Sequence, residues 1–245
     1  MTRTLIYGRD AELEQVRNLV SGRNSFLLYG PAGVGKTLLL TRLIEEIGDM
    51  LYCEESSSGQ SVFRRLLTEL FAKKSDFTLH ALGRGGPDAI RSKSAVSARG
   101  IVAEALGERE YWIVLDHLKS PSQSFASAVK DVCCWSKTPL LAVARSAHME
   151  DVGFLLPMFP GRSEKYELRN FDSSAARKFA LRTAQEVQLQ AANREDVLEK
   201  IVHYSKGNPG AIRTMLQMAV NPKYVIQQHV KLSPLYIDFR LQWET

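Results

Sequence analysis

Residues 30–37 read Gly30-Pro31-Ala32-Gly33-Val34-Gly35-Lys36-Thr37. The spacing G-x-x-x-x-G-K-[ST] constrains the fold more than any other stretch of the chain. Glycines let a backbone wrap inward so that successive N–H groups face one anion. Lys36 supplies a cation for the β- and γ-phosphates, and the Thr37 hydroxyl can ligate Mg2+. A helix starting here, with Leu38 in its first turn, points its N-terminal dipole at the same anion.

The flanks give the motif its required context. Ser25-Phe26-Leu27-Leu28-Tyr29 is a short apolar run suited to a buried parallel strand. Behind the loop, Leu38, Leu39, Leu40, Leu43, Ile44 and Ile47 recur at helical spacing. The order is therefore strand, loop, helix. Further apolar runs follow at 50–53, 111–115 and 139–143, with a short last strand at 165–168, alternating with helical patterns at 62–71 and 101–106. This alternation predicts an α/β fold: a P-loop-type three-layer parallel sheet with helices on both faces.

Beyond Arg169 the pattern turns to helix alone. Asp172 or Ser173, Asn193 and Asn208-Pro209 each open a short helix, which predicts a small helical lid. The expected organisation is a nucleotide-binding domain over 1–169, a lid over 170–221 and a tail over 222–245. In the tail, Ile237, Phe239, Leu241 and Trp243 alternate with polar residues, the periodicity of a strand, with a short helix as the alternative.

Composition narrows the class. Hydrophobic residues make up 44% and charged ones 24%, as in a globular protein with a real core. No apolar run approaches the ~20 residues of a membrane helix. Met1 to Ile6 lacks the apolar core of a signal peptide, so the expected compartment is the cytoplasm and no membrane partner is expected. Cys53, Cys133 and Cys134 show neither metal-ligand spacing nor a disulfide framework. The net charge is +5. Part of it is local: residues 73–99 carry Lys73, Lys74, Arg84, Arg91, Lys93 and Arg99 against Asp76 and Asp88, in a Gly- and Ser-rich stretch. That reads as a solvated loop and a candidate contact for DNA phosphates.

Asp116 ends the apolar run Tyr111 to Leu115. A strand beside the phosphate-loop strand would deliver this carboxylate to a metal, the Walker B arrangement. The next residue is His117. Glu54 and Glu55 end the second strand, which in such a fold neighbours that of Asp116, and either could serve as a base.

Tyr7-Gly8-Arg9-Asp10-Ala11-Glu12-Leu13 resembles the G-R-[DE]-x-E-L entry motif of AAA+ ATPases, above all the replication-initiator type and the STAND and archaeal-ATPase branch. Gly207-Asn208-Pro209-Gly210 is similar to the G-x-P lid motif of STAND proteins. The resemblance covers essentially residues 5–220. It implies an ATPase that binds ATP or ADP with Mg2+ and serves as a nucleotide-dependent switch or assembly factor. It implies Ile6 and Tyr7 near the adenine, Pro209 closing over it, and Arg145 as a sensor of the γ-phosphate. It also implies Arg162 as a finger into a neighbouring subunit's site, hence a homo-oligomer. The chain departs from the pattern twice. His117 stands where these ATPases usually have Glu, and Gly210 where many lids have a sensor Arg; Arg213, one turn on, is the substitute candidate. Two other readings remain: a nucleotide-binding module without turnover acting through a protein partner, and a small-molecule P-loop kinase. Nothing resembles the N-K-x-D guanine signature.

Overall fold

Four short apolar runs and the segment Lys165–Glu167 form one parallel sheet in the computed structural model, which describes residues 7–54 and 58–243. The strands are β1 (Phe26–Tyr29), β2 (Met50–Cys53), β3 (Trp112–Leu115), β4 (Leu140–Ala144) and β5 (Lys165–Glu167). Their order is β2-β3-β4-β1-β5. Every residue of β3 and β4 is buried, as parallel strands covered on both faces require. The order corrects one expectation. β4, not the Asp116 strand, lies beside β1. Asp116 reaches the loop from one strand further away, whereas β2 does pair with β3 as expected.

The chain divides into two compact units. One comprises residues 11–30 and 36–167, the other residues 7–10, 31–35 and those from Leu168 onward. In the first, α1 (Asp10–Ser21) and α2 (Lys36–Ile47) are joined by Arg17, which donates to Glu46 at 2.6 Å. The helices α3 (Gly59–Ala72), α4 (Asp76–Leu82), α5 (Gly86–Ser92), α6 (Ala95–Leu106) and α7 (Gln123–Ser136) follow. Leu27, Leu51, Ile113, Leu115, Leu140 and Ala142 share one core with α3, α6 and α7. Their alternates Phe26 and Trp112 turn to the opposite face and meet edge-on, with ring centroids 5.9 Å apart.

The segment 73–99 is helical, not a loop. Ser75 caps α4 and Ser94 caps α6, each accepting from an N–H three residues on. Leu82, Ile90 and Ala98 carry it into the core. Ser75 and Ser94 are caps, not linker residues. The helix α7 also had a signal that the sequence reading passed over: Phe125, Ala126, Val129, Val132 and Cys133 at helical spacing behind a Ser122 cap. A four-residue helix, α8 (Met149–Val152), precedes β5.

In the second unit α9 (Ser173–Glu186), α10 (Arg194–Ser205) and α11 (Pro209–Ala219) surround a core of Ala180, Val197, Ile201, Ile212, Met215 and Leu216. A hairpin of β6 (Val225–Ile226) and β7 (His229–Val230) leads to α12 (Leu232–Trp243). The tail is thus a helix, the alternative to the strand that its alternation first suggests. Leu232, Leu235 and Phe239 are buried at spacings of three and four, whereas Ile237 and Leu241 are 59% and 68% exposed. The apparent alternation interleaves two helical stripes.

Candidate functional site

In the first unit the loop lysine, the loop threonine and the Asp116 carboxylate come together. Lys36 Nζ donates to the Gly30 carbonyl at 2.6 Å. Thr37 Oγ1 donates to Asp116 Oδ2 at 3.1 Å. Leu38 follows on α2 and is 42% exposed. The β3 strand places Asp116: its N–H donates to Cys53 O at 2.9 Å, and the side chain is 1% exposed. Its Oδ1 accepts from the His117 N–H at 2.8 Å, and His117 has a left-handed conformation with φ 53°. The His117 ring is exposed, with Nε2 3.6 Å from Asp116 Oδ2.

Burial pushes the Lys36 ammonium down to about 8, and the Arg145 guanidinium adds to the effect, while Asp116 and Asp151 oppose it. Arg145, directly after β4, is therefore close enough for its charge to act on Lys36. A desolvated lysine beside a second cation favours a polyanion. Glu54 follows β2, level with Asp116 in the parallel register. Its charge, after burial and Asp116, helps raise the Tyr52 phenol above its ordinary value.

In the second unit the middle of the phosphate loop is clasped at several points. Arg9 is buried, donates to Val34 O at 3.1 Å and to Arg169 O at 2.7 Å, and lies 4.2 Å over the Phe171 ring. The entry-motif arginine is thus a bolt on the loop. Asn208 donates to Ala32 O at 2.8 Å, and the Gly210 N–H donates to Gly33 O at 2.9 Å. Space is tight here. A Cβ on Gly210 would stand 2.8 Å from Gly33 Cα, and one on Gly33, where φ is +74°, would stand 2.7 Å from the Trp243 ring. Pro31 begins the loop and Gly35, at φ +101°, ends it. A sensor arginine at position 210 has no room in this arrangement.

The remaining candidates are placed as follows. Tyr7, Gly8, Asp172, Lys178, Phe179 and Arg182 line a cavity of about 480 Å³, and Arg182 donates to the Tyr7 hydroxyl. Pro209 is buried as the first residue of α11. Arg213 turns to α9, 3.9 Å from Glu186 and 6.0 Å over Phe179, and is not part of the clasp. Arg162 is exposed on the turn before β5, its carbonyl accepting from Lys165 N–H. Ile6 and Glu55 lie outside the described residues. The sequence reading missed Tyr52, whose hydroxyl donates to Asp116 Oδ2 at 2.9 Å, and the clasping roles of Arg9, Asn208 and Gly210. Only the order of entry motif, loop and lid along the chain hinted at the clasp; for Tyr52 no signal exists beyond its place on the strand beside Asp116.

Comparison with known proteins agrees with this geometry. A model of the AAA ATPase domain matches residues 5–144. A comparison with curated proteins finds no match. Among solved structures, the Walker-type ATPase PABY2304 of Pyrococcus abyssi aligns with a TM-score of 0.66 at 15% identity, over 98% of this chain and 75% of that one. The Aeropyrum pernix Orc1 protein, in complex with DNA, aligns with a TM-score of 0.60 at 12% identity, over 98% and 66% of the two chains. A Pyrococcus horikoshii STAND protein with a tetratricopeptide repeat sensor, PH0952, gives 0.52 at 15% identity, over 97% of this chain and 32% of that one. These likenesses establish the P-loop fold, and the match over more than half of its length shows that the chain belongs to the AAA ATPase domain family.

Proposed function

We propose that this protein binds Mg-ATP at its phosphate loop, hydrolyses it slowly and uses the bound nucleotide as a conformational switch. The observation that carries the reading is the meeting of Thr37 and Asp116 at 3.1 Å, beside a lysine whose ammonium burial pushes down to about 8.

The donor set fits Mg2+. Thr37 and Asp116 offer a hydroxyl and a carboxylate, hard oxygens that such an ion accepts while water and phosphate complete its shell. Bound there, the ion would neutralise charge on the phosphates. The chain's own groups do the rest. Loop N–H groups and Lys36 bind the β- and γ-phosphates, and Arg145 faces the same charge. The residue after Asp116 is His117, so water activation falls to its ring or to Glu54, which supports slow turnover. The switch is supported by the clasp: Ala32 and Gly33 are hydrogen-bonded to Asn208 and Gly210. A loop that shifts around phosphate therefore pulls on the start of α11.

A second reading, a module that holds nucleotide without turnover and acts through a protein partner, is favoured by the same His117. The decisive experiment measures ATP affinity and turnover for the wild type and for Lys36→Ala. Loss of tight binding with retained fold is expected. Unchanged affinity would remove the site assignment, and binding without turnover would select the second reading.

Homo-oligomerisation through Arg162 and DNA contact through 73–99 are parts of the proposal. In the structure Lys73 donates to Gly48 O, Arg91 pairs with Asp88 at 3.5 Å, and Arg99 with Asp131 at 3.8 Å. The Arg91–Asp88 pair is exposed on both sides and can yield to phosphate, so a duplex contact would rest mainly on Lys74, Arg91 and Lys93. Among the described residues, no helix is long and apolar enough to cross a membrane.

A further inference from the structure

We propose that Tyr52 is a positioning residue that holds the Asp116 carboxylate in its metal-binding orientation. The inference rests on the nucleotide reading above. Tyr52 is the third residue of β2 and stands opposite Val114 of β3, one step before the Cys53–Leu115 pair. The Asp116 N–H donates to Cys53 O at 2.9 Å, so the backbone is tied at both residues that frame the phenol. From this fixed base the Tyr52 hydroxyl donates to Asp116 Oδ2 at 2.9 Å.

The hydroxyl has no packing purpose. The rest of β2 is Met50, Leu51 and Cys53, all buried and apolar. A phenylalanine ring would fill the same place. What the oxygen adds is a donor aimed at a carboxylate that is 1% exposed. Such a group keeps its charge and its orientation through the donors around it. Thr37 shares Oδ2, but its own oxygen is wanted by the metal. The His117 N–H takes the other oxygen, Oδ1. Tyr52 is different: it touches the carboxylate without itself belonging to the metal or phosphate set. Its task is to keep Oδ2 turned towards Thr37, so that the two metal donors are preset before the ion arrives.

The test is equilibrium binding of a fluorescent ATP analogue to wild type and Tyr52→Phe, once with excess Mg2+ and once with EDTA. The variant keeps its ring, so thermal unfolding should change little. Binding in EDTA should be unaltered, while the gain in affinity on adding Mg2+ should fall by about tenfold, the effect of losing one hydrogen bond to a charged group. A loss of equal size with and without Mg2+ would make Tyr52 a merely structural residue and overturn the proposal. An unchanged or larger Mg2+ gain would overturn it too, since the phenol would then be idle or a competitor of the ion. If the wild type itself shows no Mg2+ gain, the positioning role falls. Lys36→Ala then tells whether the nucleotide site survives, because loss of EDTA binding in that variant keeps the phosphate site.

Discussion

Thr37 and Asp116, 79 residues apart in the chain, meet at 3.1 Å. One belongs to the helix behind the phosphate loop, the other to the end of β3, and β4 lies between their strands in the sheet. Removing the charge from this pair should separate metal binding from phosphate binding. Asp116→Asn is expected to keep the fold and weak binding of ATP in EDTA, and to lose the increase that Mg2+ brings. Titration with and without the ion checks this. A variant that retains the full Mg2+ effect would place the metal elsewhere.

The lysine implies a pH dependence with a definite sign. In the ligand-free protein Lys36 titrates near 8 because burial penalises its charge. Bound phosphate restores the charged form and raises that value. Below about pH 8 the lysine is protonated in both states, and affinity is flat. Above it, binding takes up a proton, so affinity falls by up to about tenfold per pH unit. Calorimetry at about pH 9 in buffers of different ionisation enthalpy should record an uptake approaching about one proton. Proton release, or none, would contradict the state assigned to Lys36.

The base can be located by a pair of variants. His117→Glu puts a carboxylate where these ATPases usually have one and should raise turnover by at least about tenfold. Glu54→Gln tests the strand beside it. If the first change leaves the rate alone while the second abolishes it, the water is activated from β2. Steady-state phosphate release is the measurement.

Gly210 should tolerate no side chain. Gly210→Ala places a methyl 2.8 Å from the Gly33 backbone. The clasp must then open, at a cost of about 1–3 kcal/mol in unfolding free energy. Gly100 on α6 is the control, since a Cβ there meets nothing within 4 Å; Gly100→Ala should stabilise by about 0.4–1 kcal/mol. Chemical denaturation of both decides. Equal stability of the two variants would show that the loop and α11 are not in contact in solution.

Arg162 is exposed on its turn, where it can serve another copy of the chain. If ATP drives assembly, Arg162→Ala should lower turnover by at least about tenfold while sparing nucleotide affinity. Mixing it with Lys36→Ala protein should restore part of the activity, since each supplies what the other lacks. Full activity of dilute monomer, with no rescue on mixing, would make the switch self-contained. The same assembled state is the one in which to measure duplex DNA binding against salt, with Lys74, Arg91 and Lys93 changed together to Ala.

The sheet was readable because parallel strands buried on both faces are written as uninterrupted apolar runs, as in Phe26 to Tyr29 and Trp112 to Leu115. Their ends were readable because the chemistry sits there: Gly30 after one, Asp116 after the other. Segment 73–99 was not, since Ser75 and Ser94 are equally at home in a linker and at a helix start. The tail misled for a related reason, as Ile237 and Phe239 belong to different faces of one helix. The contacts that complete the site were beyond any local pattern. Asn208 and Ala32 are 176 residues apart, and Tyr52 is, on its own strand, one more large residue in an apolar run.

Trp243 lies against Gly33 with a ring 37% exposed, while Trp112 is sealed in the sheet and Trp135 is 67% exposed on α7. The protein therefore carries its own optical reporter. An indole resting on the phosphate loop should change its emission whenever that loop rearranges, and the signal is isolated by subtracting the spectrum of Trp243→Phe. Occupancy could then be followed in real time, with natural ATP and no label attached.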